Sequence, residues 1–135
     1  MSERKLVRVR DVMDPKVDMI DGMATVAEAL KILKRGSTQC LIVNKRHGDD
    51  EYGILLVSDI ARHVLARNRA PERVNVYEVM AKPVIAVDPL MDIRYCARLF
   101  GRFELSRAPV IDGGRVVGVV SFTELVLRGL CRDAD

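Results

Sequence analysis

The sequence predicts a mixed α/β (α+β) fold made of two β-α-β-β-α repeats packed with pseudo-two-fold symmetry, and three observations carry that prediction. The chain repeats itself: Asp11-Val12-Met13 returns as Glu78-Val79-Met80, an offset of 67 at which Val17 meets Val84, Ile20 meets Val87 and Asp21 meets Asp88. Such self-similarity fixes an architecture before any single element does. Within each copy, short apolar runs alternate with a stripe of helical period. The chain, at 135 residues, is long enough to bury a real core.

The elements follow in the same order twice. A short apolar strand comes first, Val17 to Ile20 and Val84 to Val87. An amphipathic helix follows, Thr25 to Lys34 and Asp92 to Arg102, with Thr25 and Asp92 as N-caps. Its stripe Val26, Leu30, Leu33 matches Ile93, Ala97, Phe100. After one extra residue in the second copy, Leu41-Ile42-Val43-Asn44 aligns with Pro109-Val110-Ile111-Asp112. Two strands are expected in each copy, Cys40 to Asn44 with Tyr52 to Val57, and Ala108 to Asp112 with Val116 to Ser121. The second pair is closed by Asp112-Gly113-Gly114, since glycine accepts the positive φ of a tight hairpin. The first pair carries the longer polar loop Lys45 to Glu51. Closing helices run near Asp59 to Arg67 and Phe122 to Leu130. With Asn68-Arg69-Ala70-Pro71 as linker, the repeats divide as 1–67 and 68–135. The last strands, Ile54 to Val57 and Val116 to Val120, are continuously apolar and call for cover on both faces.

Composition narrows the function classes. Hydrophobic residues are 49% and charged residues 30%, ordinary for a globular protein. The net charge of +3 comes without a long basic block, and the three Tyr and three Phe form no stacking pattern, so nucleic acid is not an expected partner. Cys40, Cys96 and Cys131 are widely spaced, and His47 and His63 stand at no ligand spacing from them. Neither a metal site nor a disulfide framework is expected. No apolar run is long enough for a membrane helix, and Met1 to Lys5 open onto no signal-peptide core. A cytoplasmic location is the expectation.

The duplicated order and its end motifs resemble the CBS-pair family, the Bateman module. The residues that carry the resemblance are Val12-Met13 and Val79-Met80, Arg107-Ala108-Pro109-Val110-Ile111-Asp112, and Gly118-Val119-Val120-Ser121-Phe122-Thr123-Glu124-Leu125. The resemblance covers roughly residues 9 to 130 and implies a regulatory module, not an enzyme. It implies an adenine nucleotide (AMP, ADP or ATP) or another adenosyl ligand bound in the cleft between repeats, with no required cofactor. It further implies a homodimer of such pairs, reporting ligand occupancy to a regulated partner protein.

The same resemblance assigns site residues. The family pattern Gly-h-h-Ser/Thr-x-x-Asp, with h apolar, lies where the last strand meets the last helix. There a hydroxyl serves phosphate and a carboxylate accepts from ribose hydroxyls. The second repeat supplies Gly118, Ser121 and Glu124, with Thr123 beside them. The first supplies Gly53 and Asp59, but Leu56 replaces the hydroxyl; Ser58, two residues later, is a candidate helix cap outside the family position. Arg107 is a candidate for phosphate, and the first repeat has Gln39 in its place. Val17, Leu41, Pro83, Val84 and Pro109 are candidate walls for adenine, all equally acceptable as core residues. Ser121-x-x-Glu124 is also a capping box, satisfying the helix start without any ligand. Arg94, Arg98 and Arg102 form a stripe expected to be a solvated face. The competing function is a dimerisation or scaffold module with degenerate sites, favoured by Leu56 and Glu124. A catalytic reading lacks any base-partnered nucleophile or phosphate loop.

Overall fold

The computed structural model describes residues 6–36 and 39–131; the Met1–Lys5 segment read above for a signal lies outside them. The chain divides in space into two compact units. One is continuous, residues 17–84; the other is split, joining residues 6–16 to 85–131. This division differs from the sequence repeats 1–67 and 68–135. The reason is local pairing: the stretch preceding each repeat's first strand is bonded along the last strand of the other copy.

The continuous unit holds β1 (Met19–Ile20), α2 (Val26–Arg35), β2 (Cys40–Val43) and β3 (Gly53–Leu56), then α3 (Val57–Ile60), which widens into a π-helical turn at Ala61–Leu65. Its sheet runs β1-β2-β3, parallel then antiparallel. Thr25 caps α2 as expected: its Oγ1 accepts the Glu28 N–H at 3.1 Å and Glu28 accepts the Thr25 N–H at 3.2 Å. The apolar face of α2, Val26 and Ala29, buries against Leu41, Val43 and Leu55 of the sheet. Two 3₁₀ turns, Pro71–Arg73 and Val76–Glu78, add Val74 and Val76 to that core.

The split unit opens with α1 (Val9–Val12) and continues with α4 (Ile93–Phe103), β4 (Arg107–Asp112), β5 (Arg115–Ser121) and a π-helical closing turn, Glu124–Arg128. Phe100, fully buried, centres its core with Val9, Val12, Cys96, Val110 and Val120. Its ring meets Phe122 edge-on at 5.3 Å. Asp92 caps α4 by accepting the Arg94 N–H at 2.8 Å. The Gly113-Gly114 hairpin forms as expected, with φ of +57° and +81°. The strand expected over Val84 to Val87 contracts to one parallel bridge, Val87 to Val110. Pro109 explains part of this contraction: it accepts the Val87 N–H through its carbonyl but has no N–H to extend a ladder. Arg94 is bonded to Asp92 and Arg98 lies over the Tyr95 ring, so that stripe is a solvated face.

The bridges also correct the alignment of the two copies. Ile20 pairs with Val43 and Val87 with Val110, both at the offset of 67, so no extra residue precedes β4. The counterpart of Arg107 is therefore Cys40, not Gln39. Ten positions separate Val43 from its partner Gly53 and eight separate Val110 from its partner Gly118, so the first hairpin is longer by two.

Gly53 and Gly118 are needed for close backbone approach. A Cβ at Gly118 would lie 2.7 Å from Met13 Sδ and 2.9 Å from the Asp14 carbonyl; at Gly53, 2.9 Å from Met80 Sδ and 3.2 Å from the Ala81 carbonyl. Beside each glycine runs a two-bond bridge, Asp14 with Val119 and Ala81 with Ile54, every N···O at 2.9 Å. Gly118→Ala is expected to cost about 1–3 kcal/mol through overpacking against backbone. Gly48→Ala, with nothing within 4 Å, is expected to stay within about 0.5 kcal/mol; urea denaturation of both variants checks the contrast. Cys40 and Cys96 are buried and Cys131 is exposed. Burial pushes the Cys96 thiol up to about 11. A thiol reagent at pH 8 is expected to modify one cysteine in the folded chain and three in denaturant.

Candidate functional site

The split unit gathers the second repeat's polar candidates at one junction. Ser121 ends β5 almost fully buried, and Glu124 stands one turn into the closing helix. Glu124 Oε1 accepts both the Ser121 N–H, at 3.0 Å, and the Ser121 hydroxyl, at 2.9 Å. Its Oε2 has no partner among the described residues. The cap therefore leaves Oε2 over as an acceptor, whereas the Ser121 hydroxyl, whose one proton goes to Glu124, is not left as a donor for phosphate. Arg107, half-buried, stands directly opposite Ser121 in the β4–β5 pair. Cross-strand partners share a face with Cβ atoms about 5 Å apart, so Arg107 and Ser121 lie on one face of the strand pair. Thr123 is exposed in the first turn, and Pro109 is buried opposite Val119.

The corresponding junction of the continuous unit is closed off. Asp59, 9% exposed, accepts the Leu56 N–H through Oδ2 at 3.0 Å, while Oδ1 faces Arg62 at 3.3 Å. Both oxygens are engaged, and Leu56 brings no hydroxyl. Cys40 stands opposite Leu56, where the split unit has Arg107 opposite Ser121. Ser58 is exposed beside Asp59. The Arg62 pair is largely solvated and is worth at most about 1 kcal/mol. The engagement is thus a matter of geometry more than of strength.

Within the continuous unit the apolar candidates have separate places. Leu41 has no exposed surface and sits in the core of the continuous unit, so it offers no wall to a ligand. Val84 donates its N–H to the Tyr52 carbonyl at 3.1 Å, with the exposed Pro83 next to it. That places both near the start of β3, on the order of 13 Å along the strand from Leu56 at its end. Val17 is half-buried ahead of β1. Gly53 and Gly118 serve the close approaches of Met80 and Met13 described above.

A carboxylate three residues after a helix start recurs throughout the chain. Asp11 accepts from Arg8, Glu28 from Thr25, and Glu78 from Asn75 in the same way. Capping alone therefore accounts for an acidic residue at positions 59 and 124, and the residue type by itself says little. The unshared Oε2 of Glu124 and the Arg107–Ser121 pairing are what distinguish its junction. The sequence reading missed two contributors. Arg62 masks Asp59, and its i, i+3 spacing was a legible signal. Arg128 ties the closing helix to the Val12 and Met13 carbonyls at 3.2 Å, a contact between distant segments that no local pattern announces.

Comparison with known proteins identifies the family and the fold. The CBS domain pattern matches residues 9–66 and again 76–129. The chain is 24% identical to the CBS domain-containing protein YhcV of Bacillus subtilis over 93% of its length and 88% of that protein. It is 21% identical to the uncharacterized protein MJ0450 of Methanocaldococcus jannaschii over 80% of its length, spanning 59% of that protein. Its fold superposes on a hexameric CBS-CP12 protein from bloom-forming cyanobacteria with a TM-score of 0.91 and 37% identity, covering 95% of this chain and 74% of that one. It also superposes on the CBS domain pair of protein MJ0100, solved in complex with 5′-methylthioadenosine and S-adenosyl-L-methionine. There the TM-score is 0.80 at 25% identity, covering 97% of this chain and all of that one. With two ordered copies of the repeat accounting for most of its length, the chain belongs to the CBS domain family.

Proposed function

We propose that this chain is a non-catalytic regulatory module of the cytoplasm that binds an adenosyl ligand, AMP, ADP or ATP, at the β5–helix junction. The observation that carries the reading is the unshared Glu124 Oε2, held in place by the cap on Ser121, whose cross-strand partner is Arg107. A fixed carboxylate is suited to vicinal ribose hydroxyls, and Arg107 is suited to phosphate. The adenosyl ligands in the MJ0100 structure support the same class. The asymmetry favours one working site per chain, because Asp59 is already engaged and Leu56 lacks a hydroxyl.

The second reading, a scaffold with degenerate sites, draws on that same closed junction around Asp59. Both readings include self-association. Phe122, Val126 and Leu130 recur every four residues along the closing segment and are each 44–55% exposed, with Leu127 at 58%. A contiguous apolar face of this kind calls for a protein partner, and a second copy of the chain is the one proposed. How occupancy reaches a regulated partner would require different affinities in two states of the module.

Calorimetric titration with AMP, ADP, ATP, S-adenosylmethionine and 5′-methylthioadenosine tests the first reading. One saturable site per chain is expected. Glu124→Gln keeps a capping acceptor and is expected to weaken every adenosyl ligand about tenfold. Arg107→Ala is expected to weaken ATP while sparing 5′-methylthioadenosine, and Asp59→Asn to change little. No heat from any ligand with nucleotide-free folded protein would leave the scaffold reading standing. Leu127→Glu is expected to shift the sedimentation of the chain to that of a monomer.

A further inference from the structure

The first hairpin's longer loop and its neighbour Lys82 build something the other unit lacks. In the continuous unit a cavity of about 390 Å³ opens at the end of β2 and the turn after β1, away from Leu56 and Asp59 at the far end of β3. Val43, Met23 and Met80 line it with apolar surface, and Tyr77 is held beside it by donating its N–H to the Gly22 carbonyl at 2.9 Å. Arg46 enters from the loop. Asp50 fixes that loop by accepting the Arg46 N–H at 2.8 Å and the Lys82 ammonium at 2.8 Å.

The charges decide which ligand fits. Lys82 is neutralised by Asp50, whose carboxyl is held far below the usual range first by the Lys82 bond and then by the Arg46 N–H. Asp21 gives Oδ1 to the Met23 N–H at 2.8 Å and leaves Oδ2 unbonded among the described residues. The Arg46 guanidinium bonds no described residue. The lining therefore presents one open cation and one open anion over an apolar wall. A nucleotide phosphate would meet the Asp21 carboxylate with a single uncompensated guanidinium to offset it. A zwitterion has no such conflict.

The split unit supplies the comparison. At the offset of 67 its cavity, about 420 Å³, has Asp88 for Asp21, Met13 for Met80 and Arg10 for Tyr77. It adds Asp112, so two carboxylates face one arginine, and Pro15 stands where Lys82 would be. The depression is common to both copies; the balanced charge pair and the tied-down loop belong to one. We propose that the cavity of the continuous unit binds a free α-amino acid with an apolar side chain, its carboxylate at Arg46, its ammonium at Asp21 and its side chain against Met23, Met80 and Val43. The volume lies at the small end of ligand pockets, roughly 300–1,000 Å³, in keeping with such a metabolite. This site is independent of the adenosyl reading.

Amide chemical-shift titration of the full chain with L-leucine, L-methionine and L-phenylalanine tests it. Saturable shifts are expected at residues 21–23, 44–50 and 77–82 for at least one of the three. L-leucinamide and 4-methylpentanoate, which each lack one charge, are expected to bind about tenfold more weakly than L-leucine. Arg46→Gln and Asp21→Asn are expected to lose a similar factor. Both positions are exposed and Asn keeps an acceptor for the Met23 N–H, so folding is not at issue. Glu124→Gln is expected to retain full amino-acid binding, which separates this site's failure from that of the adenosyl site. No saturable shift with any probe at millimolar concentration, shifts confined to other residues, or binding unchanged in both variants would overturn the proposal.

Discussion

Close backbone approach at two glycines is the constraint on which this structure depends. At Gly118 and Gly53 a methionine-bearing segment crosses the last strand so tightly that a β-carbon would collide with it. The crossing seals one edge of each strand with a two-bond bridge. It also seats Val9 and Val12 in one core and Val76 and Val79 in the other. Those valines are among the most buried residues of the chain. Without the crossing, each continuously apolar strand would present an unpaired edge and an uncovered face.

From that anchoring follows the geometry of the two junctions. Each last strand delivers its final residue to a helix start, where a carboxylate three residues on accepts the residue's own N–H. The backbone solution is the same in both copies, and the side chains make them different. Glu124 bonds a serine whose cross-strand partner is an arginine. Asp59 bonds a neighbouring arginine and the N–H of a leucine whose cross-strand partner is a cysteine. Duplication thus preserved the scaffold while the chemistry at equivalent points diverged.

Much of this was legible in the sequence because it is local or periodic. The duplicated order, the Thr25 and Asp92 caps and the Gly113-Gly114 turn rest on neighbours within a few residues, and all appear as read. The first strand of the second copy was over-read, since apolar character cannot reveal that Pro109 has no N–H to lend it. The register at β4 is set by strand pairing, Ile20 with Val43 and Val87 with Val110, which similarity of side-chain type does not express. The Ser121, Glu124 and Arg107 neighbourhood could be listed from a family pattern. Which carboxylate oxygen remains open depends on a hydrogen bond that no spacing specifies. Leu41 and the Pro83-Val84 pair were named as apolar, which they are. That Leu41 is sealed in a core and that Val84 sits at the start of β3 are properties of the folded strands alone.

The split unit is assembled from both ends of the chain, and synthesis on a ribosome runs in one direction. Residues 17–84 can close on themselves as soon as they emerge, whereas residues 6–16 must wait for β5 before their bridge to Val119 exists. Until then Val9 and Val12, which end fully buried, lack the part of their core that Val120 and Leu125 supply. The order of folding is thereby imposed by connectivity, and a nascent chain halted before Gly118 would hold one finished unit and one stranded apolar segment. Such an intermediate is what a holdase chaperone would be expected to recognise.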